Sequence, residues 1–151
     1  MMGNKKGFLI VELVISFAFV IIVVMITLQA AFTIRDRQYE AMLNTHVTTF
    51  KMNLFEMLQD DLENLNTVTV NSNGAVINGQ SLTFVTGAGS NYNTVTFRGN
   101  RLVLTREPSA VLHISSVNCT TNSVSSSFTC IISFGGISAW NDLIISAYIS
   151  S

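Results

Sequence analysis

The stretch from Lys5 to Ile26, KKGFLIVELVISFAFVIIVVMI, limits what this chain can become more than any other. From Phe8 to Ile26 only Glu12 and Ser16 interrupt its apolar character. At ~1.5 Å of rise per residue, a helix over these residues is ~28 Å long, close to the hydrocarbon thickness of a bilayer. The segment is expected to span a membrane.

Two ordinary explanations fail on particular residues. A secretory signal peptide has an apolar region of ~7–15 residues that ends in a small-residue cleavage site. The run here is longer, and Leu28-Gln29-Ala30-Ala31 matches that pattern poorly. A plain membrane anchor accounts for the length and for the lysines but not for Glu12. A carboxylate four residues into an apolar run costs ~2.5–3.5 kcal/mol on insertion scales, which marks it as a functional residue.

Lys5-Lys6-Gly7-Phe8, then Glu12, then the long apolar run resembles the class III leader and N-terminal segment of type IV pilins and pseudopilins. The resemblance covers residues 5–32 closely and beyond them extends to architecture alone. It implies that a prepilin peptidase cuts after Gly7 and methylates the new N-terminus at Phe8. It also implies that Glu12 neutralises the N-terminal amine of a neighbouring subunit during assembly. The domain reading follows: residues 1–7 a leader, 8–32 a transmembrane and assembly helix, 33–151 an extracytoplasmic head. Many major pilins carry a proline about twenty residues beyond the processing site, where this chain has Thr27, Leu28 and Gln29. That departure points to a minor pilin or pseudopilin.

Charge sets the orientation. Lys5 and Lys6 precede the span, whereas Arg35 and Arg37 after it are mixed with Asp36 and Glu40, so the N-terminus is expected inside and the head outside. The net charge of −1 becomes −3 when the two lysines leave with the leader, and no broad basic field remains. Over residues 67–151 the only charged side chains are Arg98, Arg101, Arg106, Glu107 and Asp142, far below the ~25% of an ordinary soluble domain. Ser, Thr and Asn take their place, as suits an extracytoplasmic head that makes contacts by shape and hydrogen bonds.

The helix is expected to continue past the membrane. No glycine lies between Gly7 and Gly74, and Pro108 is the one proline of the chain, so nothing in that interval breaks a helix. From Tyr39, apolar residues recur three or four apart at Leu43, Val47, Phe50, Leu54, Leu58, Leu62 and Leu65, the stripe of an amphipathic helix over 33–66.

From Thr67 the period changes to two. Strands are expected at Thr67–Val70, Leu82–Val85, Thr94–Arg98, Arg101–Thr105, Val111–Val117, Phe128–Phe134 and Leu143–Ile149, with loops at Gly87–Asn93 and Thr120–Ser127. Gly99-Asn100, with glycine first, suits a type II′ turn that sets Arg98 opposite Arg101. Val95, Phe97, Leu102 and Leu104 then share one face, which the helix stripe can cover. The fold class expected is α+β: a long N-terminal helix whose outer half lies across one face of an antiparallel sheet.

No catalytic constellation stands out, and the chain reads as a non-enzyme without cofactor or metal. His46 and His113 have no carboxylate or cysteine at ligand spacing, and each reads as structural or solvated. There is no phosphate-binding glycine loop, G-x-S-x-G or HExxH. Glu56, Asp60, Asp61 and Glu63 cluster at the end of the helix, where acidic groups oppose its dipole. They form either a solvated face or the counterpart of a cation. Cys119 and Cys130, both in the extracytoplasmic part, are expected to form a disulfide worth ~3 kcal/mol by chain entropy; the alternative is two buried thiols. Arg98 and Arg101, side by side, call for an anionic partner: the acidic helix end, a neighbouring subunit or the phosphates of DNA. Two solvated arginines flanking a turn are the simpler alternative.

Two classes of function are open. One is a filament subunit whose partners are other pilin or pseudopilin subunits, the prepilin peptidase and the membrane, serving DNA uptake, type II secretion, adhesion or motility. The other is a membrane-anchored binding module that never polymerises. Gly7 and Glu12 separate the two, because a mere anchor has no use for either.

Overall fold

The computed structural model describes residues 5–87, 93–104, 112–135 and 142–150. Helix α1, Lys5–Glu63, runs without a break. Eight strands follow: β1 Val68–Asn71, β2 Gly74–Ile77, β3 Gln80–Phe84, β4 Thr94–Phe97, β5 Asn100–Val103, β6 His113–Asn122, β7 Ser127–Gly135 and β8 Leu143–Tyr148. All pair antiparallel, so the fold is α+β. The single sheet expected is two sheets, a five-stranded meander β1-β2-β3-β4-β5 and a three-stranded meander β6-β7-β8.

The chain divides into two compact units, Met1–Met42 and Leu43–Ser151. In the first, every side chain from Leu9 to Met42 is exposed, Tyr39 included. In the second, the stripe is buried at Leu43, Val47, Phe50, Leu54, Leu58 and Leu65. These residues join one core with Ala75, Ile77, Leu82, Phe84, Val95 and Phe97 of the larger sheet and with Ile114, Phe128, Cys130, Ile132 and Phe134 of the smaller. Phe50 meets Phe134 edge to face with ring centroids 6.1 Å apart. Burial therefore starts at Leu43, one step into the three-and-four spacing that begins at Tyr39.

The helix ends on an asparagine from the sheet. Asn78 Nδ2 donates to the carbonyls of Asp61 and Asn64, while its Oδ1 accepts from the backbone N–H of Asn66 and Thr67. One side chain thus satisfies carbonyls that the helix terminus leaves open and holds the outgoing strand. Asn78 can do so because it sits with φ 48° in the two-residue Asn78-Gly79 turn between β2 and β3. That hairpin, and with it β2, was not among the strands expected. Asn-Gly is a strong turn signal, but Ala75-Val76-Ile77 is a short apolar run without alternation.

Gly74 opens β2 with φ 155°, and a Cβ there would stand 2.0 Å from the Leu82 carbonyl oxygen. Only glycine fits that close crossing. β6 is longer than expected, so Thr120–Asn122 belong to a strand and the loop shrinks to Ser123–Ser126. Its register shifts between Ile114 and Ser116, and the bulged Ser115 donates its hydroxyl to the Ser133 carbonyl. Residues 1–4 of the expected leader, most of the Gly87–Asn93 loop, Thr105, Arg106, Glu107 and Val111 lie outside the described residues.

Candidate functional site

Gly7 and Phe8 stand in the first turns of α1, and Glu12 follows one turn later on the same helix. From Leu9 to Ile34 the large apolar side chains are exposed, at 48% or more. The helix is long and apolar enough to cross a membrane. Glu12 is the one carboxylate on that apolar wall until Asp36. Glu12 is exposed, and among the described side chains none forms an ion pair with it. Thr27 Oγ1 donates to the carbonyls of Val23 and Val24, and Thr33 Oγ1 to that of Gln29, so both hydroxyls are satisfied inside the helix and need no outside partner.

In the second unit, the hairpin that was expected to display two arginines side by side takes a different register. Thr96 is opposite Arg101 and Phe97 opposite Asn100, so the loop is Arg98-Gly99, not Gly99-Asn100. Both residues have positive φ, 51° and 76°, the signature of a type I′ turn. The partner of each residue moves by two, so parity is kept and Val95, Phe97 and Leu102 still face one way. Arg98 leaves the sheet face altogether. Its guanidinium reaches the end of α1, where Nη2 lies 2.5 Å from Asp61 Oδ2. The Asp61 side chain is 5% exposed and that of Arg98 48%. The contact is an ion pair without the angle of a hydrogen bond, since Asp61 Oδ2 has no hydrogen-bond donor. A left-handed arginine costs about 1–2 kcal/mol, and the charge contact with a buried carboxylate offsets it.

Of the acidic cluster, Glu56, Asp60 and Glu63 are exposed and Asp61 is buried. Glu63 accepts a hydrogen bond from Gln59. Arg101 remains on the outer face of the larger sheet in the cross-strand row Asn71, Gly74, Thr83, Thr96, Arg101. Among the described residues no group of three His, Cys, Asp or Glu side chains could hold a metal. His113 faces Gly135 across β6 and β7, and a Cβ on Gly135 would lie 2.4 Å from His113 Nε2. The imidazole uses the space a glycine leaves, which is a packing role.

Cys119 and Cys130 are bonded, directly opposite in the β6-β7 register and buried between the hairpin and the core. The alternation that places Cys130 with Phe128, Ile132 and Phe134 on the inward face was legible in the chain. The ion pair from Arg98 reaches the acidic helix end, one of the partners the sequence offered for it; that Arg98 alone does so, from a turn position and not from the sheet face, was not legible, because the register of a two-residue turn decides it. No family model, no curated protein and no solved structure matches this chain.

Proposed function

We propose that this protein is a structural subunit, a minor pilin or pseudopilin, of a type IV pilus-like filament. The observation that carries the reading is Glu12, a charge four residues beyond the Gly7-Phe8 pair on an exposed, otherwise apolar stretch of unbroken helix. A carboxylate in low dielectric is tolerable when it meets an opposite charge, and the amine freed at Phe8 of a neighbouring copy is that charge. The continuous helix supports the reading further, since an anchor alone would not need to run unbroken into a folded head. In this reading the N-terminus begins in the cytoplasm and the head lies outside it. A prepilin peptidase removes residues 1–7, and the exposed helix packs among those of other subunits.

Co-production with a prepilin peptidase should shorten the chain by the seven residues of the leader and leave methylated Phe8 first, as read by intact mass. Gly7→Leu should block the cut. Glu12→Val should be cut normally yet enter filaments poorly, by roughly tenfold on a desolvated charge pair worth ~1.4 kcal/mol. An uncut chain that stays anchored in the membrane would instead identify a non-polymerising binding module.

A further inference from the structure

Each of the two sheets ends in a strand with an open edge. Among the described residues no strand pairs the far side of β5 or of β8, and no further backbone hydrogen bond crosses either edge. Open edges recruit strands from other chains unless they are blocked by charge, proline or a covering element. Neither strand contains a proline, and each has one charge at hand: Arg101 within β5 and Asp142 immediately before β8. Both side chains are exposed, opposite in sign and in no ion pair. With Arg98 committed to Asp61, they are the two remaining charges of the described β region.

The edges also differ in shape. Beside β8 lies a largely apolar groove of about 260 Å³, walled by Leu54, Leu58 and Leu62 of α1 and by Leu143 and Ile145 of β8, with Lys51 of α1 also lining it. Phe55 and Ile144 at its rim are each more than 60% exposed. β5 carries Leu102 on the inward face, half-buried at the margin of the core. A strand edge with an apolar knob and a positive charge thus complements one with an apolar groove and a negative charge.

We propose that β5 of one copy adds to β8 of the next, joining the two sheets edge to edge. In the antiparallel register that pairs Asn100–Leu102 with β8 and sets Val103 beside Asp142, Arg101 is opposite Ile144 and Leu102 opposite Leu143. Face parity then matches: Leu102 points inward at the groove, and Arg101 lies outward, diagonal to Asp142, a separation long side chains bridge. Because different surfaces meet, the contact is heterologous and can repeat head to tail from copy to copy, which a filament requires. This inference rests on the filament reading and names the head surfaces that would carry it.

The test uses the full chain in producing cells, with Val103→Cys in one set of copies and Ile144→Cys in the other. The native cysteines are bridged to each other and do not compete. A short bis-maleimide should join the two kinds of copy when both are present and neither kind alone. Arg101→Asp in the first set should lower the adduct roughly tenfold. Asp142→Arg in the second set should then restore it. Adduct between copies carrying only one kind of cysteine, indifference to charge reversal, or adduct solely with some other protein would each overturn the proposal. A chain that is cut after Gly7 but gives no 103–144 adduct loses the edge contact and keeps the filament reading, whereas an uncut chain loses both.

Discussion

Asp61 and Asn78 show how single residues hold the head together. Asp61 is the one buried carboxylate of the described residues, and Arg98, half exposed, is the charge partner it has among them. Removing the arginine strands a desolvated charge, whereas removing the charge leaves an arginine that water can solvate. Arg98→Gln should therefore destabilise by about 2 kcal/mol, and Asp61→Asn by less than half of that, in denaturant unfolding followed by circular dichroism. Equal losses for the two variants would mean that the ion pair contributes by attraction alone. Asn78 makes four hydrogen bonds at the end of α1, so Asn78→Ala should cost about 2–4 kcal/mol at roughly 1 kcal/mol for each bond. Asn78→Gly keeps the positive φ and loses the same bonds, and comparing the two isolates the backbone term.

At the scale of elements, β6 and β7 depend on their bridge and the β2-β3 crossing on its glycine. Closing the loop between Cys119 and Cys130 is worth about 2–4 kcal/mol in the chain-entropy account. The double change Cys119→Ser and Cys130→Ser should lower the melting temperature. Reductant should lower that of the parent chain by a similar amount and leave the variant unmoved. Gly74→Ala should disrupt the hairpin more than any other glycine change in the larger sheet, because the obstacle is a backbone carbonyl that no side-chain rotation removes. Helix α1 carries no basic residue in its last turn, so Arg98 and Asn78, both brought by turns of the sheet, supply what its own sequence lacks.

Within the head, one core joins the helix stripe to both sheets, which ties their stabilities together. Leu54 and Leu58 are fully buried at its centre, and truncating either to alanine should cost about 2–5 kcal/mol. Amide exchange should then rise together in β4 and β7, which lie in different sheets. Exchange that rose in one sheet alone would mean two independent cores. The C-terminal residues belong to the same unit: Ser150 donates from its backbone N–H and its hydroxyl to the Leu65 carbonyl, and the chain end closes over the junction of helix and sheet.

What the chain determined by itself is what depends on local spacing. The absence of glycine and proline from Phe8 to Asn73 made α1 continuous, and the three-and-four recurrence from Leu43 selected its buried face. The two-residue alternation selected the inward sides of β4, β5 and β7, and parity preserved them when the register moved. Tertiary structure decided everything that depends on which strand meets which. It split the strands into two meanders, made Asn78 the helix cap, and pulled Arg98 out of the sheet to Asp61. The physical reason is that alternation fixes a face but not a neighbour. The type I′ register keeps the faces that alternation sets and places Arg98 in the turn, from which it reaches the buried Asp61.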